Sequence, residues 1–106
     1  MSVHDFCKRL ESLQGEIPRE WQVLDVRTRE EHHYLGMIPG AMALPMHELP
    51  QRFTELDPDK ETYLICQHGV RSLDAACYLD QLGFKKLTNL SEGMASWPGM
   101  LEKPSV

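Results

Sequence analysis

One short segment holds the residues of this sequence that are best suited to covalent chemistry. The apolar run that ends at Ile65 leads to Cys66 in a polar loop that contains Gly69, and Arg71 follows where a helix can begin. The N–H groups at a helix start are unpaired and partially positive, so they favour a thiolate over a thiol and can bind an anion. The pattern therefore predicts a nucleophilic cysteine, Cys66, inside an anion-binding loop.

The remaining residues of the loop are expected to bind substrate mainly through their main chain. The N–H groups that would form this anion cradle belong to Gln67, His68, Gly69 and Val70. Gly69 is expected to supply a backbone conformation that other residues disfavour. His68 could act as a general base, but a thiolate that has already formed needs none. Arg71 is assigned to binding the substrate anion, because its planar guanidinium suits an oxyanion. A positive charge at a helix start is unfavourable to the helix dipole, so a purely structural role is less natural for this residue.

Strands and helices alternate along the chain. Strands are predicted at residues 21–26, 41–44, 62–65 and 86–90. Helices are predicted at residues 3–13, 28–35, 47–56, 71–82 and 91–97, with caps at Ser2, Thr28 and Gly83. This alternation predicts an α/β fold with a central, mostly parallel sheet and helices on both faces. The length of 106 residues predicts a single domain over residues 1–106.

Two groups of polar residues follow predicted strands. Ligands bind at the carboxyl ends of parallel strands, and Cys66 lies at one such end while Asp25 and Arg27 lie at another. Asp25 and Arg27 are expected to brace the site, and a structural ion pair accounts for them best. The other two cysteines, Cys7 and Cys77, fall on apolar helix faces and are expected in the core. The tail from residue 98 to 106 is expected to pack loosely.

Composition excludes several classes of function. A formal net charge of -5 disfavours nucleic-acid binding. The sequence has no apolar run of the ~18 residues that a membrane span needs and no secretion signal. The three cysteines form no C-x-x-C pair, which fits a reducing compartment and a cytoplasmic protein. The histidines lack a ligand pattern, so no metal site is expected.

Three motifs in this order resemble the signatures of the rhodanese-like sulfurtransferases. They are Leu24–Arg27 with Glu31 and Gly36–Ala41, then Cys66–Ser72, then Leu90–Trp97. The sequence departs from the family at Met37, where histidine is common, and at Gln67, where arginine is frequent. The resemblance implies a rhodanese-like fold and no cofactor. It also implies transfer of a sulfane sulfur through a Cys66 persulfide, from thiosulfate or a persulfide donor to cyanide, a thiol or a protein cysteine.

Two other functions remain open at this stage. Cysteine-based phosphatases and arsenate reductases of related fold place five residues between cysteine and arginine, whereas four lie between Cys66 and Arg71. The shorter loop makes a tighter cradle, suited to one sulfur atom rather than a phosphoryl group. A non-catalytic sulfur-relay or interaction module is the other alternative. Rhodanese-like domains of that kind often lack the cysteine, so Cys66 argues against it.

Overall fold

The computed structural model describes residues 1–104, in which four parallel strands form one sheet. The strands are β1 (Trp21–Asp25), β2 (Met42–Ala43), β3 (Glu61–Ile65) and β4 (Leu87–Asn89), in the spatial order β2-β1-β3-β4. The α-helices are α1 (Val3–Ser12), α2 (Arg29–Leu35), α3 (Leu49–Arg52) and α4 (Val70–Gln81). The predicted α/β fold with a central parallel sheet is thus confirmed, with each strand bound within one residue of that expected.

Both faces of the sheet are covered, because alternate strand residues point to opposite sides. On one face, α1 packs its apolar stripe against β1 and β3; this cluster includes Phe6, Leu10, Trp21, Val23, Tyr63 and Ile65. On the other face, α3 and α4 cover the remaining strand residues; that cluster includes Leu24, Leu44, Leu49, Leu64, Ala75 and Leu79. The sheet edge at the carboxyl ends of the strands is left for the polar residues that follow them.

Local signals account for the helix ends. Ser2 caps α1 by accepting the N–H of Asp5, and Thr28 and Glu31 form the predicted capping box of α2. Gly83, with φ +95°, follows α4 in the left-handed conformation expected there. Each of these ends was predicted from residue type alone.

Two predicted helices are wrong. The stretch from residue 47 to 56 breaks into a 3₁₀ turn (Met46–Glu48), the short α3 and a second 3₁₀ turn (Phe53–Glu55). Pro50 lacks an N–H group, so it begins a helix rather than continuing one. The predicted helix at 91–97 is only a 3₁₀ turn, Met94–Ser96, because Gly93 at its start has φ +74° and its first N–H groups bind loop carbonyls elsewhere.

The predicted core position of Cys77 is also wrong. Cys77 is exposed, as is Leu73, which shares its helix face, whereas α4 buries Ser72, Ala75 and Leu79. The buried face therefore lies on the other side of α4 from Cys77. Cys7 is buried, as predicted.

The tail from Pro98 is held at one point, where Met37 and Glu102 form an antiparallel bridge. The end of the predicted loose tail, residues 105 and 106, lies outside the described residues. Within residues 1–104, the model contains no helix of the length and apolarity that a membrane crossing requires.

Candidate active site

Three strand ends converge on one edge of the sheet. Asp25 is the last residue of β1, Cys66 follows β3 directly, and Asn89 is the last residue of β4. The strands are in parallel register, with Asp25 opposite Ile65 and Leu64 opposite Asn89. These side chains therefore lie at the place where ligands bind in parallel sheets.

Three hydrogen bonds surround the sulfur of Cys66. The N–H of Gly69 lies 3.1 Å from Sγ, the N–H of Ser72 3.3 Å, and the hydroxyl of Ser72 3.2 Å. Burial alone would raise the pKa of the Cys66 thiol. Hydrogen bonds from the Ser72 hydroxyl and from the N–H groups of Ser72, His68 and Gly69 outweigh burial, so the pKa lies below its ordinary value. Cys66 thus has the environment of a reactive cysteine.

The Ser72 hydroxyl lies between two acceptors. Its Oγ is 3.2 Å from the Cys66 sulfur and 2.5 Å from Oδ1 of Asn89. The amide nitrogen of Asn89 donates to the carbonyl of Gly69 at 3.2 Å, which orients Oδ1 toward Ser72. A hydroxyl has one proton, so Ser72 can donate to the thiolate or to Asn89 but not fully to both.

Asp25 and Arg27 form a buried ion pair, with side chains 0% and 1% exposed. Arg27 donates from Nε and Nη2 to the carboxylate of Asp25, from Nη2 to the carbonyl of Gly36, and from Nη1 to Oε1 of Gln67 at 3.0 Å. The Gln67 contact ties this pair to the loop that carries Cys66.

His32 completes the buried group around Asp25. Its Nε2 lies 3.1 Å from Oδ1 and 3.2 Å from the main-chain oxygen of Asp25. Both partners are acceptors, so Nε2 carries the proton. Burial would raise the pKa of the Asp25 carboxyl, but the hydrogen bonds from His32 and Arg27 lower it on balance. The carboxylate is thus held in its charged form.

The side chain of Arg71 is 39% exposed and is paired with an acidic residue. Its Nη1 and Nη2 donate to the two carboxylate oxygens of Glu31 at 2.6 and 2.8 Å. The bond from Arg71 is the main reason that the pKa of Glu31 falls to about 2. Hydrogen bonding to Glu31 raises the pKa of Arg71, and the charge of a Cys66 thiolate adds to that rise.

The segment after β4 fixes the loop from outside. Met94 and Ala95 donate their N–H groups to the carbonyls of Cys66 and Gln67 at 2.8 and 3.0 Å. Gly69 has φ +89°, and any Cβ there would collide with the carbonyl oxygen of Ser91. The tight approach on this side accounts for glycine at position 69.

The structure thus brings Cys66, the loop from Gln67 to Arg71, and the Asp25–Arg27 pair to one sheet edge. Sequence reasoning missed Asn89 and His32, and it gave Ser72 and Glu31, although both stand in the family motifs, no role at the site. Asn89 could have been found from its place at the end of a parallel strand. Ser72 carried a weaker signal, its position in the first turn of a helix that begins at the loop.

Comparisons with known proteins point to one family. The family model described as a rhodanese-like domain matches residues 8–99. A sulfurtransferase of Allochromatium vinosum is 40% identical over 75 residues, covering 71% of this chain and 69% of that protein. The thiosulfate sulfurtransferase GlpE of Shewanella oneidensis is 32% identical over 76 residues, covering 72% of this chain and 74% of that protein.

Among solved structures, a rhodanese-like domain protein from Staphylococcus aureus superposes with a TM-score of 0.83 at 32% identity. That match covers 99% of this chain and 97% of the other.

Proposed function

The chain belongs to the rhodanese-like domain family and has a role in sulfur transfer, and from this we propose that Cys66 is the residue that carries the sulfur. The observation that supports this choice is the set of three hydrogen bonds at Sγ from Gly69 and Ser72. They favour the thiolate, which is the nucleophilic form.

The proposed reaction is a double displacement through a covalent intermediate. The Cys66 thiolate attacks the outer sulfur of the donor, the bond between the two donor sulfurs breaks, and the leaving group takes its electron pair. With thiosulfate the leaving group is sulfite. A thiolate or cyanide acceptor then attacks the terminal sulfur of the Cys66 persulfide, and Cys66 leaves as a thiolate. No metal ion or organic cofactor is needed for either step.

The loop supplies the proposed substrate-binding groups. They are the main chain of Gln67, His68, Gly69 and Val70 together with the side chain of Arg71. Asp25 and Arg27 support the loop through the Arg27–Gln67 hydrogen bond. We propose a small sulfur-containing anion or a persulfide as donor and a thiol, including a protein cysteine, as acceptor.

Further features support the same reading. We propose a single rhodanese-like domain over residues 1–106, because two core clusters pack on the two faces of one sheet. We propose a cytoplasmic location, because Cys7, Cys66 and Cys77 are all free thiols and a reducing compartment keeps thiols free. Phosphatase chemistry is disfavoured because only four residues separate Cys66 from Arg71, one fewer than in cysteine-based phosphatases of related fold.

Mass spectrometry after thiosulfate treatment tests the proposal. We expect Cys66 to gain the mass of one sulfur atom and Cys66→Ser to abolish thiocyanate formation from thiosulfate and cyanide. Cys77→Ser is the matched control, because Cys77 is exposed on the outer face of α4. Retained turnover in Cys66→Ser would refute the mechanism, and hydrolysis of aryl phosphates that depends on Cys66 and exceeds sulfur transfer would favour a phosphatase.

A further inference from the structure

The side chain of Arg71, to which we assign donor binding, is already bound to the carboxylate of Glu31. Both terminal nitrogens of Arg71 donate to Glu31, at 2.6 and 2.8 Å, in a two-point contact of the kind an oxyanion donor would need. The contact joins residues 40 positions apart, one on α2 and one on α4. A donor that uses the fork of Arg71 must therefore displace the carboxylate of Glu31.

Glu31 is held firmly in this competing position. Its Oε1 also accepts the main-chain N–H of Thr28 at 3.0 Å and the Thr28 hydroxyl at 3.2 Å, as part of the capping box of α2. Its side chain is 24% exposed, and its pKa of about 2 keeps it ionised at neutral pH. The fork of Arg71 is thus occupied by a carboxylate whose displacement costs the hydrogen bonds of both partners.

We propose that Glu31 sets the charge of the sulfur donor, discriminating against the dianion thiosulfate in favour of monoanionic donors. This inference rests on the function proposed above. The carboxylate of Glu31 repels a dianion about twice as strongly as a monoanion, so removing its charge should favour the dianion more.

Two sulfur donors that differ in charge but are similar in shape test the role of Glu31. Thiosulfate and methanethiosulfonate have the same sulfur–sulfur bond and sulfonyl geometry, but a methyl group replaces one charged oxygen in the second. Both load Cys66 by the same step, releasing sulfite or methanesulfinate with the electron pair. For the unmodified protein we expect methanethiosulfonate to have the higher kcat/KM. In Glu31→Gln, kcat/KM for thiosulfate should rise about 10- to 100-fold, the range for one charge-assisted contact, and the preference for the monoanion should fall about tenfold.

The chain offers a matched control one residue away. Glu30 is an exposed carboxylate on the same helical turn, so Glu30→Gln removes the same charge without touching Arg71. Glutamine at position 31 can still serve the capping box, which keeps α2 intact. Glu30→Gln should leave the donor preference unchanged, and the gain from Glu31→Gln should vanish in an Arg71→Ala background. An unchanged preference in Glu31→Gln, an equal change in Glu30→Gln, or a gain that persists without Arg71 would each overturn the inference.

Alkylation of Cys66 gives a readout that needs no sulfur transfer. Iodoacetate and iodoacetamide differ by one negative charge, and peptide mass identifies the alkylated cysteine. The rate with iodoacetate relative to iodoacetamide should rise in Glu31→Gln and stay constant in Glu30→Gln. If both thiosulfonyl donors fail to load Cys66, the proposed function fails. If they load Cys66 but neither readout changes in Glu31→Gln, only the role of Glu31 fails.

Discussion

Removing the hydroxyl of Ser72 should raise the pKa of Cys66 and slow attack on the donor at neutral pH. Sγ accepts two main-chain N–H groups at 3.1 and 3.3 Å and faces the Ser72 hydroxyl at 3.2 Å. The Ser72→Ala substitution deletes only the hydroxyl, because the main-chain N–H of residue 72 remains. The perturbation is therefore confined to one of the three donors.

The size of the effect follows from the geometry of the hydroxyl. A hydrogen bond to a charged group contributes about 1.5–3 kcal/mol to its stabilisation. Oδ1 of Asn89 competes for the same proton from 2.5 Å, so we expect the loss of thiolate stabilisation in Ser72→Ala to lie at the lower end of this range. Asn89→Ala removes the competitor and should shift the pKa in the opposite direction, because the proton is then free for the sulfur.

Thiolate absorbance as a function of pH measures this directly. Cys7 and Cys77 are first replaced by serine so that Cys66 is the only titrating thiol, and Ser12→Ala serves as a control because Ser12 lies on α1 and donates to Arg9. An unchanged titration in Ser72→Ala would show that the hydroxyl is fully committed to Asn89. A rise in pKa in Asn89→Ala would refute the competition for one proton.

Three further outcomes test the support of the site. Asp25→Asn should destabilise the protein by about 3–5 kcal/mol in urea unfolding, because it leaves the buried charge of Arg27 without its partner; a near-wild-type midpoint would contradict this. Gly69→Ala should lower both the melting temperature and the rate of sulfur transfer, because φ at this position is +89° and a Cβ would collide with the Ser91 carbonyl. The left-handed conformation alone costs about 1–2 kcal/mol for a residue with a side chain, so an unchanged melting temperature would refute the clash. The pKa of Glu31, lowered from 4.5 to about 2 in the fold, means that its stabilisation is complete above pH 4.5 and is lost as the pH falls through about 2. Between neutral pH and about pH 3, the free energy of unfolding measured in urea should fall by about 1 kcal/mol more in the wild type than in Glu31→Gln, after allowance for solvent screening. Equal decreases in the two proteins would contradict the ion pair.

The sequence allowed prediction of features encoded by neighbouring residues. The loop of Cys66 follows from an apolar strand, a glycine and a helix start within a few positions. Asp25 and Arg27 are two residues apart at a strand end, and their pairing, a local contact, was anticipated. Helix caps at Thr28 and Gly83 were equally readable, because capping depends on residues within one turn.

Features that depend on distant packing were not predictable in this way. The bond between Glu31 and Arg71 depends on how the starts of α2 and α4 approach each other, and no local pattern encodes that. The position of Cys77 was misassigned, because its apolar character suggested a core site, whereas α4 buries Ser72, Ala75 and Leu79. Which face of a helix meets a sheet depends on distant packing, and the buried polar Ser72 shows that hydrophobicity alone does not reveal it.

The contacts of Met94 and Ala95 with the carbonyls of Cys66 and Gln67 have a consequence for the newly made protein. During translation, Cys66 leaves the ribosome well before these two residues, so its loop lacks its outer supports while the rest of the chain is being made. We expect the donors around the sulfur to take up their final positions when the later segment docks, so that until then the Cys66 thiol has the reactivity of an ordinary cysteine. The proposed sulfur chemistry would then begin only with the completed fold.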